Sequence, residues 1–319
     1  MRSQYGISES SRDGRNRATP GRPMTSMLAA AVLSVGFVTA QLVPAFAQAG
    51  ASPARQARDG YALTKNDVED IESLLKNRPD DLAARTRLLG FYFRGATRVY
   101  PREVTIEARR RHILWLIEHH PDAEASALSE ATIDAKGHAL ADADGYEQAS
   151  VLWMEQARRH PADVRVLSHA ARFFVLSNKE RAASLLRQAQ LAEPDSREWP
   201  ARIGYVYALG ILGVDMVNQN GLPTSHNAAE SKSAFALWAI DELKSSSDAT
   251  LVGVAGNVLG QYGLMLSATY RGPDMFGVDH VALSEAFLNR AQDLEPANPQ
   301  WSGDLERLRK LRSAASQPK

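Results

Sequence analysis

The chain has 319 residues, of which 44% are hydrophobic and 23% charged, and it has no cysteine. These values suit a folded protein with one large domain or two small ones, and the missing cysteine excludes disulfides, thiolate metal sites, cysteine nucleophiles and lipid-modified cysteine. The 37 basic residues balance the 37 acidic residues, so the chain lacks the basic surplus that a nucleic-acid binding protein normally carries.

The first 47 residues are predicted to be an export signal. Five arginines lie in this stretch, and the apolar run MLAAAVLSVGFVTAQLVPAFA begins at Met27. The run ends in the small-x-small pattern AFA at residues 45–47, so we expect cleavage before Gln48 and a periplasmic or secreted protein. An uncleaved anchor in the inner membrane is the alternative, because about 21 mainly apolar residues are enough to span a bilayer. Met24 is a second candidate for the translation start.

Residues 48–63 are small and polar and are predicted to form a disordered linker. We expect the fold to occupy residues 64–313 and the tail to occupy 314–319. Thr64 or Asn66 is predicted to cap the first helix. Apolar residues at helical spacing predict helices at about 64–76, 82–93, 103–119 and 123–140, and a further helix around 149–157.

Two successive helical hairpins are predicted between Gly145 and Gly213. Pro161 and Pro194 stand 33 residues apart, and each follows an amphipathic run and opens a polar turn. Small side chains let the two helices of a hairpin approach, and large ones fill the groove between neighbouring hairpins. Such residues recur at helical spacing here; they are Ala170, Phe173, Ala182, Leu186 and Ala189. The pattern resembles the tetratricopeptide (TPR) repeat, whose period is about 34 residues. His169 departs from it, because leucine is usual at that position.

The resemblance covers about residues 64–312 and is most specific at 145–213. It implies an all-α protein, a right-handed superhelix (α-solenoid) built from roughly six TPR-like helical hairpins. Arrays of this family generally act as scaffolds that present a groove to a protein or peptide segment. The resemblance therefore implies a non-catalytic scaffold for protein–protein interaction, with a protein or peptide as its partner and with no cofactor and no nucleic acid.

Two long loops in the C-terminal third are expected to contribute to binding. Helices are predicted at about 228–245, 248–268 and 280–294, and the loops VDMVNQNGLPTSHNA and TYRGPDMFGVDH lie beside them. Because such loops emerge on one edge of a stacked-hairpin array, we expect the two to neighbour each other, with the segment 96–103 as a third candidate. Long loops on a rigid scaffold often carry binding, and mere padding of the surface is the alternative. The candidate partner-binding residues are Arg98, Tyr100, Asp215, His226, Tyr270, Arg271 and Asp274.

The last predicted helix, at about 300–313, has a charged side and an apolar side. The apolar side shows Trp301, Leu305, Leu308 and Leu311. Since the terminal repeat of an array needs one face in water, we expect this helix to be the C-terminal cap.

The sequence contains no G-x-S-x-G, H-E-x-x-H, phosphate-binding glycine loop or dinucleotide fingerprint, so no enzyme activity is expected. His119, His120 and His160 stand at predicted helix ends just before prolines, where an imidazole interacts with the last carbonyls. We therefore expect no metal site. The alternative function is a cell-wall-active enzyme related to lytic transglycosylases, because the GLM at residues 263–265, preceded by Glu230, resembles that family.

Overall fold

Twelve α-helices and one two-stranded sheet occur in the part of the chain that the structure describes. The computed structural model describes residues 51–218, 221–269 and 276–315, all within the unit Gly50–Lys319. The predicted signal or anchor at 1–47, its cleavage site and Met24 lie outside the described residues. The predicted all-α class is confirmed, because helices dominate and the two strands have four residues each.

The elements follow one another in a simple order. They are α1 (Pro53–Gly60), α2 (Lys65–Asn77), α3 (Leu82–Gly90), α4 (Arg102–His119), α5 (Ala143–Arg159), α6 (Val164–Phe174), α7 (Lys179–Ala192), α8 (Glu198–Ile211), β1 (Val214–Val217), β2 (Pro223–His226), α9 (Ala234–Ser245), α10 (Ala249–Thr269), α11 (His280–Leu294) and α12 (Pro299–Ala315).

Polar caps fix the start of most helices. Thr64 accepts a hydrogen bond from the backbone N–H of Asp67 at 3.3 Å, and the Asp67 carboxylate accepts one from the Thr64 N–H at 2.8 Å, which makes a capping box. Thr64 is thereby confirmed as a predicted cap. Asp163 starts α6 two residues after Pro161 by accepting hydrogen bonds from backbone N–H groups of the first turn. A proline turn followed by a polar cap separates these helices, as the sequence predicted.

Most helices pack on their neighbours in sequence. The helix α6 packs on α7, α7 on α8, α10 on α11 and α11 on α12, and α10 also packs on α8 across α9. Small residues allow the closest of these contacts, since a Cβ atom added to Gly204 in α8 would lie 2.4 Å from the carbonyl oxygen of Leu251 in α10. Contacts between consecutive and between alternate helices are the kind that stacked hairpins make.

Two groups of buried apolar side chains form the core. The larger group continues from Leu89 to Leu308 and contains the bulkiest buried rings, which are Trp153, Phe174, Tyr207 and Trp301. The smaller group lies between α2, α3 and α4 and includes Val68, Leu88 and Phe91. Burial of this apolar surface is the main favourable term in folding, since the chain has no disulfide.

The disordered linker predicted at 48–63 is wrong for half of its length, because Pro53–Gly60 form α1. This helix crosses α3 at very short range. A Cβ atom on Gly60 would lie 2.0 Å from the carbonyl oxygen of Arg87, and one on Gly90 would lie 1.8 Å from that of Ala57. The small residues that suggested disorder are therefore the ones that permit the crossing.

The helix predicted at 123–140 is wrong. Two short 3-10 turns and irregular backbone replace it. The buried guanidinium of Arg109 in α4 donates a hydrogen bond to the carbonyl oxygen of Thr132, a group that a continuous helix would use internally. Gly137 has a φ of 103°, which no helix accommodates. The two turns are Glu124–Ala127 and Ser129–Ala131.

Two further predicted helices are shorter at one end in the structure. The helix predicted at 82–93 ends at Gly90, and a π-helical turn, Phe91–Gly95, continues the chain. The helix predicted from 228 begins only at Ala234, because Ser233 caps it by accepting a hydrogen bond from the N–H of Ala236 at 3.2 Å.

The first insertion contains two strands that the sequence analysis did not predict. The strands β1 and β2 pair antiparallel, with Val214 opposite His226 and Met216 opposite Ser225. Gly213 precedes β1 with a φ of 61°, a conformation that favours glycine. The hairpin is too short for its alternation to stand out from the surrounding loop residues.

The helix α10 is the apolar centre of the C-terminal part. Within the described ranges, its stretch Ala249–Ala268 is long and apolar enough to cross a membrane, with a mean hydropathy of 1.3, and 56% of it is buried. The helices α8, α11 and α12 pack on it, which identifies it as a core helix. The predicted last helix is confirmed as α12, where Trp301 packs against Gly253, although Leu311 is 37% exposed.

Candidate binding surface on α6, α8 and α10

The described end of the second C-terminal insertion lies against the first, in agreement with the prediction. The ring centroid of His226 in β2 is 5.4 Å from that of Phe276, which belongs to the second insertion. The third segment, 96–103, is linked to them indirectly. Arg102 donates a hydrogen bond to the carbonyl oxygen of Ala139 at 2.7 Å, and nearby Gly137 contacts the Met216 side chain of β1. The segment 96–103 therefore lies near the first insertion through residues 137–139.

Arg98 and Tyr100, two of the predicted binding residues, secure their own loop. The Nη2 atom of Arg98 donates to the carbonyl oxygen of Tyr61 at 3.2 Å. The Tyr100 ring makes an edge contact with Phe91 at 6.1 Å, and burial raises the pKa of its phenol. Arg98 thus holds the 96–103 segment against the end of α1, and Tyr100 holds it against the turn that follows α3.

Asp215 and His226 lie on the hairpin of the first insertion. The Oδ1 atom of Asp215 is buried and accepts no hydrogen bond from any residue in the described ranges. The ring of His226 packs against Phe276. The other three predicted binding residues, Tyr270, Arg271 and Asp274, lie outside the described residues. The structure therefore brings together only part of the predicted set.

An arginine without a partner lies on α6. Arg172 is exposed to solvent, and no hydrogen bond or ion pair joins it to any other residue that the structure describes. Its pKa is nonetheless lowered, because the surrounding protein removes water from the guanidinium, and the attraction of the Glu130 carboxylate only partly offsets this loss. Arg172 is therefore a solvent-accessible positive charge without a pairing partner among the described residues.

A second arginine reaches the same region from α8. Arg202 donates from Nη2 to the carbonyl oxygen of Ser168 in α6 at 3.1 Å and also bonds the Ser168 hydroxyl. Its Nη1 atom lies 3.2 Å from the carboxylate of Glu198. Burial lowers the pKa of Arg202 as well. Because Arg202 bonds Ser168, one turn before Arg172 on α6, the two arginines lie in one neighbourhood, and the charge of Arg172 lowers the pKa of Arg202 further.

His169 lies beside both arginines. Its Nδ1 atom is 2.8 Å from the carbonyl oxygen of Pro121. Because a carbonyl can only accept, Nδ1 carries the proton of the neutral ring and Nε2 is left as an acceptor. Burial lowers the pKa of His169, and the positive charges of Arg202 and Arg172 lower it further. His169 is therefore mainly neutral at pH 7.

Two tyrosines continue the surface onto α10. The rings of Tyr205 and Tyr262 meet edge to face with their centroids 6.3 Å apart. The hydroxyl of Tyr205 donates to that of Tyr262, which donates to the carbonyl oxygen of Gly221 at 2.9 Å. Burial raises the pKa of both phenols, so both are neutral donors. This relay connects the surface to the first insertion.

A carboxylate limits the surface on its N-terminal side. Glu130 accepts a hydrogen bond of 2.5 Å from the hydroxyl of Tyr61 and attracts Arg172 electrostatically. The buried guanidinium of Arg109 anchors the backbone next to Glu130. Burial holds the pKa of Arg109 at about 10, so this arginine still carries its charge at neutral pH.

We name the side chains His169, Arg172, Arg202, Tyr205 and Tyr262 the arginine–tyrosine face. It carries two positive charges, and within the described ranges only that of Arg202 is paired. Guanidinium groups bind carboxylates and phosphates through parallel hydrogen bonds, and neutral phenols add donors on an apolar body. The arrangement is suited to an anionic group of a ligand.

The arginine–tyrosine face was not predicted, because its residues lie on helices and the candidate binding residues in the sequence lie in long loops. One signal was present. Ser168 and Arg202 stand 34 residues apart, which is the period of the predicted repeat, so they occupy equivalent positions on helices expected to stack. His169, which departs from the TPR pattern, is the residue next to Ser168.

Glu230, the acid that the alternative enzyme hypothesis needs, is held in an ion pair. Glu230 forms an ion pair with Lys179, whose side chain is 1% exposed and also donates to the carbonyl oxygen of Leu176 at 3.1 Å. This pair joins the first insertion to α7. Across the residues that are described, no three His, Asp or Glu side chains come together in a way that could hold a metal ion. His119 contacts the carbonyl oxygen of Trp115 at 2.9 Å, the structural interaction that was predicted for it.

Comparison with family models, with curated proteins and with solved structures finds no match.

Proposed function

We propose that this chain is a non-catalytic scaffold that acts outside the cytoplasm and binds an acidic protein or peptide segment on the arginine–tyrosine face. In this proposal the helix pairs stack as a TPR-like right-handed superhelix (α-solenoid), and α6, α8 and α10 line its groove. The packing of α10 on α8 and the Arg202–Ser168 hydrogen bonds support this arrangement, because they join alternate helices.

Arg172 is the observation that carries the proposal. Removing water from a charged group costs free energy unless a partner replaces that water. No described residue supplies this partner, since Glu130 attracts Arg172 without a hydrogen bond. A carboxylate of a bound segment would supply it, and a charge-assisted hydrogen bond is among the stronger polar interactions that a protein makes.

The composition of the face favours a peptide segment as the ligand. Arginine and tyrosine are enriched among the residues that dominate the energy of protein interfaces. Side chains from three helices contribute, and the Tyr61–Glu130 pair extends the polar surface toward α1. An extended segment suits such a surface, whereas a small molecule prefers an enclosed pocket.

The edge loops and the N-terminal segment also have roles in this proposal. The edge loops extend the binding surface, and the hydrogen bond from Tyr262 to Gly221 ties the first of them to the face. The candidate residues Arg98, Tyr100, Asp215, His226, Tyr270, Arg271 and Asp274 belong to this part. Residues 1–47 deliver the protein to the periplasm or the exterior, or anchor it in the inner membrane.

Photo-crosslinking tests the proposal in cells that produce the full chain. Benzoylphenylalanine at position 205 of the face should give one dominant adduct, and the additional substitution Arg172→Gln should remove it. The same amino acid at position 151 in α5, where Val151 is 66% exposed, is the control and should not give that adduct. An adduct at 205 that survives Arg172→Gln would contradict the proposal, as would the absence of any adduct.

A further inference from the structure

His169 is enclosed by groups from three elements. The carbonyl oxygen of Pro121 and the carboxylate of Asp122 come from the segment after α4, Arg172 lies one turn further along α6, and Arg202 comes from α8. Each of these groups affects how readily the ring takes up a proton. In the free protein the desolvation of the ring and the two arginines together outweigh the acidic residue.

The neighbouring carboxylates are already engaged. Asp122 lies 3.2 Å from Arg165, and Glu198 lies 3.2 Å from Arg202. The charge that faces His169 without a pairing partner among the described residues is that of Arg172. An anionic group bound to Arg172 would cancel this charge and add an attraction for a protonated ring.

We propose that His169 takes up a proton when an anionic group binds to the arginine–tyrosine face, so that binding strengthens as the pH falls from about 8 to about 6. This inference rests on the proposed function and adds a regulation to the same site. The sign follows from linkage: a ligand that favours the protonated ring binds more tightly where more of the ring is protonated.

The other groups at the face do not titrate in this range. Carboxylates are ionised above about pH 6, arginines stay charged, and phenols stay neutral below about pH 9. The tyrosines of the face have raised pKa values because of burial, which moves them further from this range. A change in affinity between these pH values would therefore report on His169.

Fluorescence polarisation with a labelled hexaglutamate peptide at low salt measures the effect on the full chain. We expect the Kd at pH 6 to be about tenfold lower than at pH 8, within the hundredfold limit for uptake of one proton over two pH units. His169→Asn removes the titrating ring but keeps an N–H that can reach the Pro121 carbonyl, and its Kd should change less than about twofold.

His138→Asn is the matched control. His138 is also a histidine with a hydrogen-bonded partner, Asp134 at 2.7 Å, but it lies outside the face. This variant should keep the pH dependence of the unsubstituted chain. Calorimetry of the same titration in buffers of different ionisation enthalpy should show proton uptake in the unsubstituted chain and in His138→Asn, and no uptake in His169→Asn.

The results separate the two proposals. If the peptide binds in an Arg172-dependent way with the same Kd at both pH values, proton uptake is overturned and the proposed function stands. The same conclusion follows if His169→Asn keeps the tenfold change. If the unsubstituted chain does not bind the peptide at any pH, both proposals are overturned.

Discussion

Arg202 in α8 donates a hydrogen bond to the carbonyl oxygen of Ser168 in α6, which stands 34 residues earlier in the chain. The bond joins two helices that are separated by α7. Each residue occupies the same place in its own predicted repeat, since the interval equals the repeat period. This contact thus aligns α6 with α8 and holds Arg202 beside Arg172 and His169.

The close crossing of α1 and α3 should not tolerate a side chain at Gly90. We expect Gly90→Ala to lower the free energy of unfolding by about 2 kcal/mol or more, because the new Cβ atom would lie 1.8 Å from the backbone oxygen of Ala57. Urea denaturation measures this loss. Gly303→Ala in α12 is the control, because nothing lies within 4 Å of its Cβ position and alanine favours a helix. Equal stability of the Gly90 variant and the unsubstituted chain would refute the crossing.

A buried polar network joins α2, α3 and α4. The Nη1 atom of Arg85 donates to Nδ1 of His112 at 3.0 Å, and Nε2 of His112 donates to the carboxylate of Glu72 at 2.9 Å. The guanidinium of Arg85 also lies 3.5 Å from the centroid of the Trp115 ring. Burial lowers the pKa of His112, which agrees with a neutral ring that accepts from Arg85 and donates to Glu72.

Glu72 should make the stability of the chain depend on acid pH. Burial raises its pKa, but hydrogen bonds from His112 and Tyr92, together with the charge of Arg111, outweigh burial and lower the pKa from 4.5 to about 2. A lowered carboxyl pKa contributes stability above the unfolded value, and this contribution is lost as the pH falls from 4.5 toward 2.

Glu72→Gln should therefore lower the free energy of unfolding by about 2 kcal/mol at pH 7, and the difference should shrink below pH 4.5. Urea denaturation at several pH values measures it. Glu69→Gln is the matched control on the same helix, because the ion pair of Glu69 with Lys65 is 59% exposed and should contribute little. A difference that stays constant from pH 7 to pH 3 would contradict this assignment.

Asp304 in α12 should change the stability with pH in the direction opposite to that of Glu72. One of its oxygens bonds Arg307 at 2.6 Å, whereas Oδ2 is buried without a partner among the described residues, and burial raises its pKa. A raised carboxyl pKa means that stability is lost as the pH rises through the unfolded value toward the folded one.

Asp304→Asn should consequently raise the free energy of unfolding at pH 7 by about 1 kcal/mol, because it removes a desolvated charge. The gain should decrease as the pH falls toward the ordinary carboxyl range, where Asp304 itself is protonated. Thermal unfolding of both chains at pH 7 and pH 4.5 compares them. A lower Tm of the variant at pH 7 would show that the Arg307 contact outweighs the desolvation of Asp304.

Local sequence patterns such as proline turns, helix caps and repeat spacing were sufficient to predict much of the fold. The sequence predicted the turns at Pro161 and Pro194, the Thr64 cap and the contact between the described ends of the two insertions, because each depends on local chemistry or on repeat spacing. The helix α1 was missed because its stability comes from a crossing with α3 that small residues permit, and small residues without a partner suggest disorder.

The features that the sequence did not predict depend on contacts between residues that are far apart in the chain. Residues 123–140 have helical composition, but the carbonyl groups there satisfy the buried Arg109, which comes from another helix. The arginine–tyrosine face likewise depends on which side chains of separate helices meet. Arg172 looks like any surface arginine in the sequence, and only its desolvated position without a described partner distinguishes it.

Fluorescence polarisation with the labelled hexaglutamate peptide and the full chain at pH 6 tests the central claim most directly. Arg172→Gln should weaken binding by about tenfold, the loss expected for one charge-assisted contact, and should not lower the Tm, because the substitution removes an unpaired charge and no stabilising contact. Arg158→Gln in α5 removes the same charge from a side chain that is 78% exposed, and it should bind like the unsubstituted chain. Equal weakening by both substitutions would contradict the account, because binding would then depend on net charge and not on the arginine–tyrosine face.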